Sequence, residues 1–287
     1  MGGYDLTEGL LMLGVAVIVP LALALHRQLG RGVVVATALA AAGVAVGFAL
    51  PPSVGAAALG APWLLGAVAW ALVTAWRWWT HGRVIEAFAA VVVHGWLVIG
   101  AAWLAVHLAG LEPVGVSEPI VLLTGVHFHF AGFIAGTLAI RVRSATTADA
   151  PRLSATVLVT VVGAPSLVAF GFFFIDWFQA IGAAVLTVGL WLYSWLVLRH
   201  VAPRAQGAAR LLLTVSALAV LVPMLLAVQW AAGQSLDVPR LSIPDMVAVH
   251  GTTNAIAFSL LGAIGWHLRS RGGPYTPGRE PGAGGPR

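Results

Sequence analysis

Four histidines lie deep within apolar runs: His94, the pair His127 and His129 in GVHFHFAGF, and His250, four residues before Asn254. Imidazole titrates near neutrality, so it can accept or release a proton, relay protons, or bind a metal. Ionisable groups inside a membrane span are expensive and mark sites or pathways by default. The chemistry such a set suits is acid and base catalysis on a lipophilic small molecule: isomerisation, cyclisation, or the opening of a lactone or epoxide. Two imidazoles in unlike surroundings would serve as acid and base. Asn254 would orient a substrate oxygen or a developing oxyanion. The catalytic candidates are therefore His127, His129, His250, Asn254 and His94. Asp176, Gln179, Asp245 and Glu8, near the outer ends of their spans, are candidates for holding substrate.

Other chemistries use the same residues. His94, His127 and His250, from three helices, are the set that would hold Zn²⁺ or another transition metal with an open position. The spacing matches no H-x-x-x-H pair and deep carboxylates are few, so no cofactor is predicted beyond that metal variant. Haem ligation fits less well, because the interval from His94 to His107 carries the second imidazole to the membrane edge. A transporter or efflux permease would use these groups to bind solute or relay protons. A receptor, sensor or assembly partner is the third class. Hydrogen bonding between helices is the plainer use of a buried histidine, although it contributes only about 0.6 kcal/mol on average in membranes. The chain has no cysteine and no lysine, which excludes disulfides, thiolate ligands and Schiff bases, and no G-x-S-x-G serine elbow occurs.

The elements that position these residues are transmembrane helices. The chain of 287 residues is 60% hydrophobic and only 9% charged, against roughly 25% charged in soluble domains. Apolar runs predict an all-α, polytopic bundle with about nine spans, at 6–25, 33–50, 54–76, 84–108, 119–140, 153–174, 178–198, 211–231 and 243–268. With the N-terminus outside, fourteen of the fifteen arginines fall on the cytoplasmic side and only Arg240 outside, which the positive-inside rule favours. The expectation is a multi-pass protein of the cell inner (cytoplasmic) membrane, with its C-terminus in the cytoplasm. Residues 1–270 form one transmembrane helical domain, and 271–287 a disordered Gly/Pro-rich tail. The leader MGGYDLTEG has no basic region and is not read as a cleavable signal. The basic balance belongs to loops, so no nucleic-acid partner is expected; the partners are the lipid bilayer and a lipophilic small molecule.

Local signals place the helix ends. Ser242-Ile243-Pro244-Asp245 has capping-box spacing and starts the ninth span, and Ser117-Glu118-Pro119 starts the fifth. Pro165 and Pro223 should kink or loosen their spans. Asp245 is explained by its cap, Asp176 and Gln179 by the end of a span, and Glu86 by pairing with Arg83 or by snorkelling to the inner surface. His107 reads as a partner for terminal carbonyls, and His26, His81, His200 and His267 as solvated side chains at the inner interface.

At ~1.5 Å per residue, His127 and His129 lie roughly 12 to 15 Å below the outer helix end, and His94 about 15 Å from the inner one. His250 is on the order of 10 Å deep, with Asn254 one turn below it. The shared depth predicts one buried polar site formed by the fourth, fifth and ninth spans. His250 and Asn254 share a face, whereas His127 and His129 are about 200° apart and cannot both enter the same hollow unless the helix unwinds near Gly125. Gly132 and Gly136 form a small-xxx-small pair that invites close approach of another helix.

At HFHFAGF (127–133) and HGTTNAIAF (250–258) the sequence resembles the YndJ-like family of bacterial integral membrane proteins, whose members carry related His-aromatic-His and His-Gly-Asn-Phe signatures. The similar multi-span pattern runs from about the third span to the end. The resemblance implies a multi-span membrane protein, a family sometimes labelled transporters, with His127, His129, His250 and Asn254 as its site and no established activity to carry over.

Overall fold

The structure is a computed structural model and describes residues 3–26, 30–82, 84–175 and 177–271. Among these, nine helices are long and apolar enough to cross a membrane: α1 (Leu6–His26), α2 (Arg31–Phe48), α3 (Val54–His81), α4 (Ile85–Ala109), α5 (Ile120–Thr146), α6 (Pro151–Phe172), α7 (Trp177–Arg204), α8 (Gly207–Ala232) and α9 (Ile243–Ser270). No strand occurs among the described residues. Asp176, Arg27, Arg83 and the tail 272–287, all used in the sequence reading, lie outside them.

The chain is a multi-pass membrane protein. Hydropathy placed all nine spans, but α3, α5 and α7 run five or six residues further than the apolar runs do, to His81, Thr146 and Arg204. Their last turns carry Arg, His and Trp, which remain helical while reaching into the interface.

Helix ends follow the predicted chemistry. Ser242 Oγ accepts from Asp245 N at 3.3 Å and donates to Asp245 Oδ2 at 2.6 Å, so Asp245 is engaged in the cap of α9. Ser53 caps α3 by accepting from Ala56 N at 3.2 Å. Of the two prolines, Pro165 sits inside an uninterrupted helix, whereas the turn at Val220, three residues before Pro223, divides α8 in two. Pro223 has no N–H to give Ala219 and crowds that carbonyl, which loosens the preceding turn.

Central α5 packs against α1, α4, α6, α7 and α9. In its core 61% of residues are buried, against 22% in α2 and α3, which form a peripheral hairpin on the outside of α4 and α1. Gly132 and Gly136 act as expected: a methyl on Gly132 would stand 2.6 Å from Trp96 Cβ, and one on Gly136 would stand 2.5 Å from Val93 Cγ2. The α4–α5 contact is therefore nearly backbone to backbone, and Gly100 and Gly125 extend it.

Several spans contain π-helical turns: Gly14–Ile18 in α1, Phe128–Ile134 in α5, Val197–Val201 in α7, and Val247–Gly251 and Thr253–Leu260 in α9. The first directly precedes Pro20, whose ring opposes a regular turn there. That in α5 begins one residue after His127, and those in α9 include His250 and Asn254.

Candidate functional site

The chamber between α1, α5, α6, α7, α8 and α9 has a volume of ≈ 220 Å³. Its walls are mainly apolar, with Leu123, Phe130, Leu186, Met224 and Phe258 among them, and its polar residues include His127, His250, Asn254 and Gln179. It reaches from helix-end positions such as Gln179, Trp230 and Ile243 inward to Ser259. Beyond Phe258 the bundle is filled: Tyr193 meets Phe258 edge to face at 5.7 Å, and Trp266 Nε1 reaches Tyr193 Oη at 3.4 Å.

His127 stands on the chamber wall with its ring accessible, and Nδ1 lies 2.8 Å from the carbonyl of Leu123. A carbonyl only accepts, so Nδ1 carries the proton and Nε2 presents a lone pair. No hydrogen-bond partner for Nε2 is found among the described residues. His250 Nδ1 lies 2.8 Å from the carbonyl of Pro223 and is the protonated nitrogen for the same reason. Its Nε2 must then accept, and Asn254 Nδ2 donates to it at 3.2 Å. This chain of roles orients the amide. Asn254 Oδ1 is left buried without a partner, beside the chamber.

The remaining predicted residues are elsewhere. His129 is fully buried; Trp63 Nε1 donates to its Nε2 at 3.0 Å, its Nδ1 donates to the Gly125 carbonyl at 2.7 Å, and its ring stacks on Trp63. Nε2 joins α5 to α3 and Nδ1 bonds back onto α5, so both nitrogens are engaged, with Gly100 of α4 making room for the ring. The HFH motif thus divides as its spacing allows, His127 into the chamber and His129 into the helix packing.

His94, also buried, faces the other way. It bonds the carbonyl of Ala90 at 2.7 Å and packs edge-on against His26 at 5.0 Å and Phe133 at 5.5 Å. His26 is no solvated interfacial residue: its Nε2 donates at 3.0 Å to Thr137 Oγ1, whose hydroxyl is donated to Phe133 O. The common hollow expected of α4, α5 and α9 is accordingly built from α5 and α9 without α4. Among the described residues no three His, Asp or Glu side chains are grouped to hold a metal, so His94, His127 and His250 do not converge as ligands.

Glu8 also turns away from the chamber, although its neighbour Thr7 lines it. Glu8 Oε1 lies 3.8 Å from His107 Nε2, and His107 Nδ1 lies 2.6 Å from Glu118 Oε1. Glu118 Oε2 in turn accepts from Leu122 N at 3.3 Å in the first turn of α5. This carboxylate–imidazole–carboxylate cluster ties α1, α4 and α5 together. Sequence spacing alone points His107 at the carbonyls of its own helix, although Glu118 and Glu8 stand at the same predicted level. Glu86 pairs with Arg143 at 2.9 Å, while its expected partner Arg83 lies outside the described residues. Gln179 lies at the chamber rim, and Asp245 stays in its cap.

A family model for YndJ-like proteins matches residues 9–258, which takes in His127, Gln179, His250 and Asn254 of the chamber. The chain belongs to the YndJ-like family. This YndJ-like chain is 25% identical over 177 residues to "Uncharacterized membrane protein YndJ" of Bacillus subtilis (strain 168). The match covers 60% of the chain and 31% of that protein, so the chain spans about a third of its relative's length. No solved structure matches.

Proposed function

We propose that this YndJ-like protein is an intramembrane enzyme that transfers a proton on a lipophilic small molecule, with His127 as the base. One observation carries the reading: an imidazole Nε2 without a partner among the described residues faces an apolar chamber beside a second unpartnered acceptor, Asn254 Oδ1. A cavity of 150 Å³ holds benzene, so ≈ 220 Å³ suits a ligand, or the reacting part of one, of roughly ten non-hydrogen atoms. Both polar groups accept, so that ligand carries a donor, an O–H or N–H, for Asn254 Oδ1 to hold. His127 Nε2 removes a proton, and the resulting imidazolium returns it to another atom of the same molecule. The outcome is an isomerisation, or a ring opening or closure, with no net change in protons. His250 is a positioning residue: it fixes the amide of Asn254 and is itself fixed by Pro223. The protein would sit in the cytoplasmic membrane with its N-terminus outside.

The test is solvent deuterium. Detergent-purified protein in D₂O, given the lipophilic extract of cells lacking the gene, should yield a product carrying deuterium, and His127→Ala should not. A molecule that is unaltered but moved across closed vesicles would instead establish the permease reading. That second reading has one observation in its favour, the wide π turns in both α5 and α9, which line the same chamber and offer weak points for a gating motion.

A further inference from the structure

Away from the chamber, past its Tyr193 and Trp266 floor, Arg141 of α5 and Arg269 of α9 meet at one indole. Their guanidinium carbons lie 5.7 and 5.3 Å from the centre of the Trp266 ring. That ring is fully buried and anchored through Nε1 to Tyr193. Arg141 Nη2 donates to Ser270 Oγ at 3.2 Å, and Ser270 donates to the Trp266 carbonyl at 2.9 Å.

What is missing is an anion. Among the described residues no carboxylate lies within ion-pair distance of either group; the basic side chains nearby that do pair are Arg143, with Glu86, and Arg204, with Asp149. Arg269 acts on Arg141 as a like charge, and Arg204 does so on Arg269. Arg141 Nε is moreover buried with no acceptor. Two converging cations and an unsatisfied N–H are each unfavourable alone, and an oxyanion reaching both forks would relieve all three. Ring stacking accounts for the attraction to Trp266 but leaves the donors unfilled.

Depth narrows the anion. Arg141 is 21 residues beyond Ile120, about 32 Å along the helix. That is close to the ~30 Å thickness of the hydrocarbon core, which sets the pair at the level where lipid phosphates lie. We propose that Arg141 and Arg269 form a binding site for a phosphate group, with Trp266 and Ser270 fixing the two guanidinium planes. The phosphate would come from a lipid headgroup or from a soluble phosphate compound.

The test is thermal unfolding of the full chain in an uncharged detergent. The probes are phosphatidylglycerol, a diacylglycerol with the same acyl chains, and inorganic phosphate. Phosphatidylglycerol should raise the Tm while the diacylglycerol does not. A rise with inorganic phosphate would identify a soluble source, and no rise a lipid one. In R269Q the response should need about tenfold more of the active probe. Without any probe the variant should be at least as stable as wild type, because a repulsion has been removed. R77Q, far along α3, should respond as wild type does. If R269Q does not fold, R269K, which keeps the charge but loses the fork, should show the weakened response. The proposal is overturned if wild type responds to neither phosphate probe, if the diacylglycerol works as well, or if the arginine variants keep the full response.

Discussion

His127 and His129, two residues apart, should behave in opposite ways when replaced by alanine. His129→Ala removes two hydrogen bonds, to Trp63 Nε1 and to the Gly125 carbonyl, and leaves a ring-sized void between α3, α4 and α5. At about 0.6 kcal/mol per bond in a membrane, plus on the order of 1–2 kcal/mol for the void and the stranded Trp63 N–H, the loss is about 2–3 kcal/mol. That is a shift of roughly 30- to 150-fold in the folding equilibrium. His127→Ala gives up one bond within its own turn and no packing across helices, so it should stay within about 0.5 kcal/mol of wild type. Titration of the purified protein from mild detergent into dodecyl sulfate, followed by circular dichroism, measures both. A double-mutant cycle with Trp63→Phe should return a coupling of about 0.6 kcal/mol, and at most about 1.7. The reasoning fails if His129→Ala is as stable as wild type while His127→Ala unfolds, or if the cycle shows no coupling.

Further outcomes follow from the same geometry. Gly132→Ala should cost about 1–3 kcal/mol, because its methyl meets Trp96 Cβ near the main chain; Gly136→Ala should cost less, since a Val93 methyl can turn aside, and Gly163→Ala, in open space, should be neutral. Ser242→Ala should lower stability by about 1 kcal/mol through loss of the α9 cap, measured by the same titration. The Arg204 guanidinium, bonded to Asp149 at 2.7 and 2.9 Å, holds the Asp149 carboxyl below the usual carboxylate range. Its tie is therefore complete above the unfolded value of about 3.9 and lost as pH falls through the lower folded value; Asp149→Asn should flatten that acid limb and change little in the effect of pH near neutrality. Because the chain has no cysteine, a single one placed at Ser117 should react with a membrane-impermeant thiol reagent added to intact cells, and one placed at Ala148 should not.

The spans were legible in the sequence and the faces they turn to one another were not. Runs of about twenty apolar residues must be spans in any packing, and capping boxes such as Ser242–Asp245 act through neighbours in sequence, so both could be read directly. His250 and Asn254 were linked correctly as neighbours because one helical turn separates them. His94 packs at the level of Phe133 and Gly136, inward of His127, and the direction it faces depends on how α4 lies against α1 and α5, which no periodicity in an almost wholly apolar helix records. Glu8 and His107 found each other across three helices for the same reason. Apart from Gln179, the chamber walls contributed by α7 and α8 were invisible, since Leu186 or Met224 facing a cavity looks no different in sequence from leucine or methionine facing lipid.

The π turn at Phe128–Ile134 also sets the helical phase of everything after it. Each such turn accommodates one residue more than a regular turn, so the stretch from Ala135 to Arg141 is rotated by about 100° from where a uniform wheel would draw it. Excising a single residue there would restore regular winding and swing Thr137 and Arg141 off His26 and Trp266, while His127 upstream kept its place. Length itself, counted to one residue, is thus part of what aligns the two ends of this helix with their different neighbours.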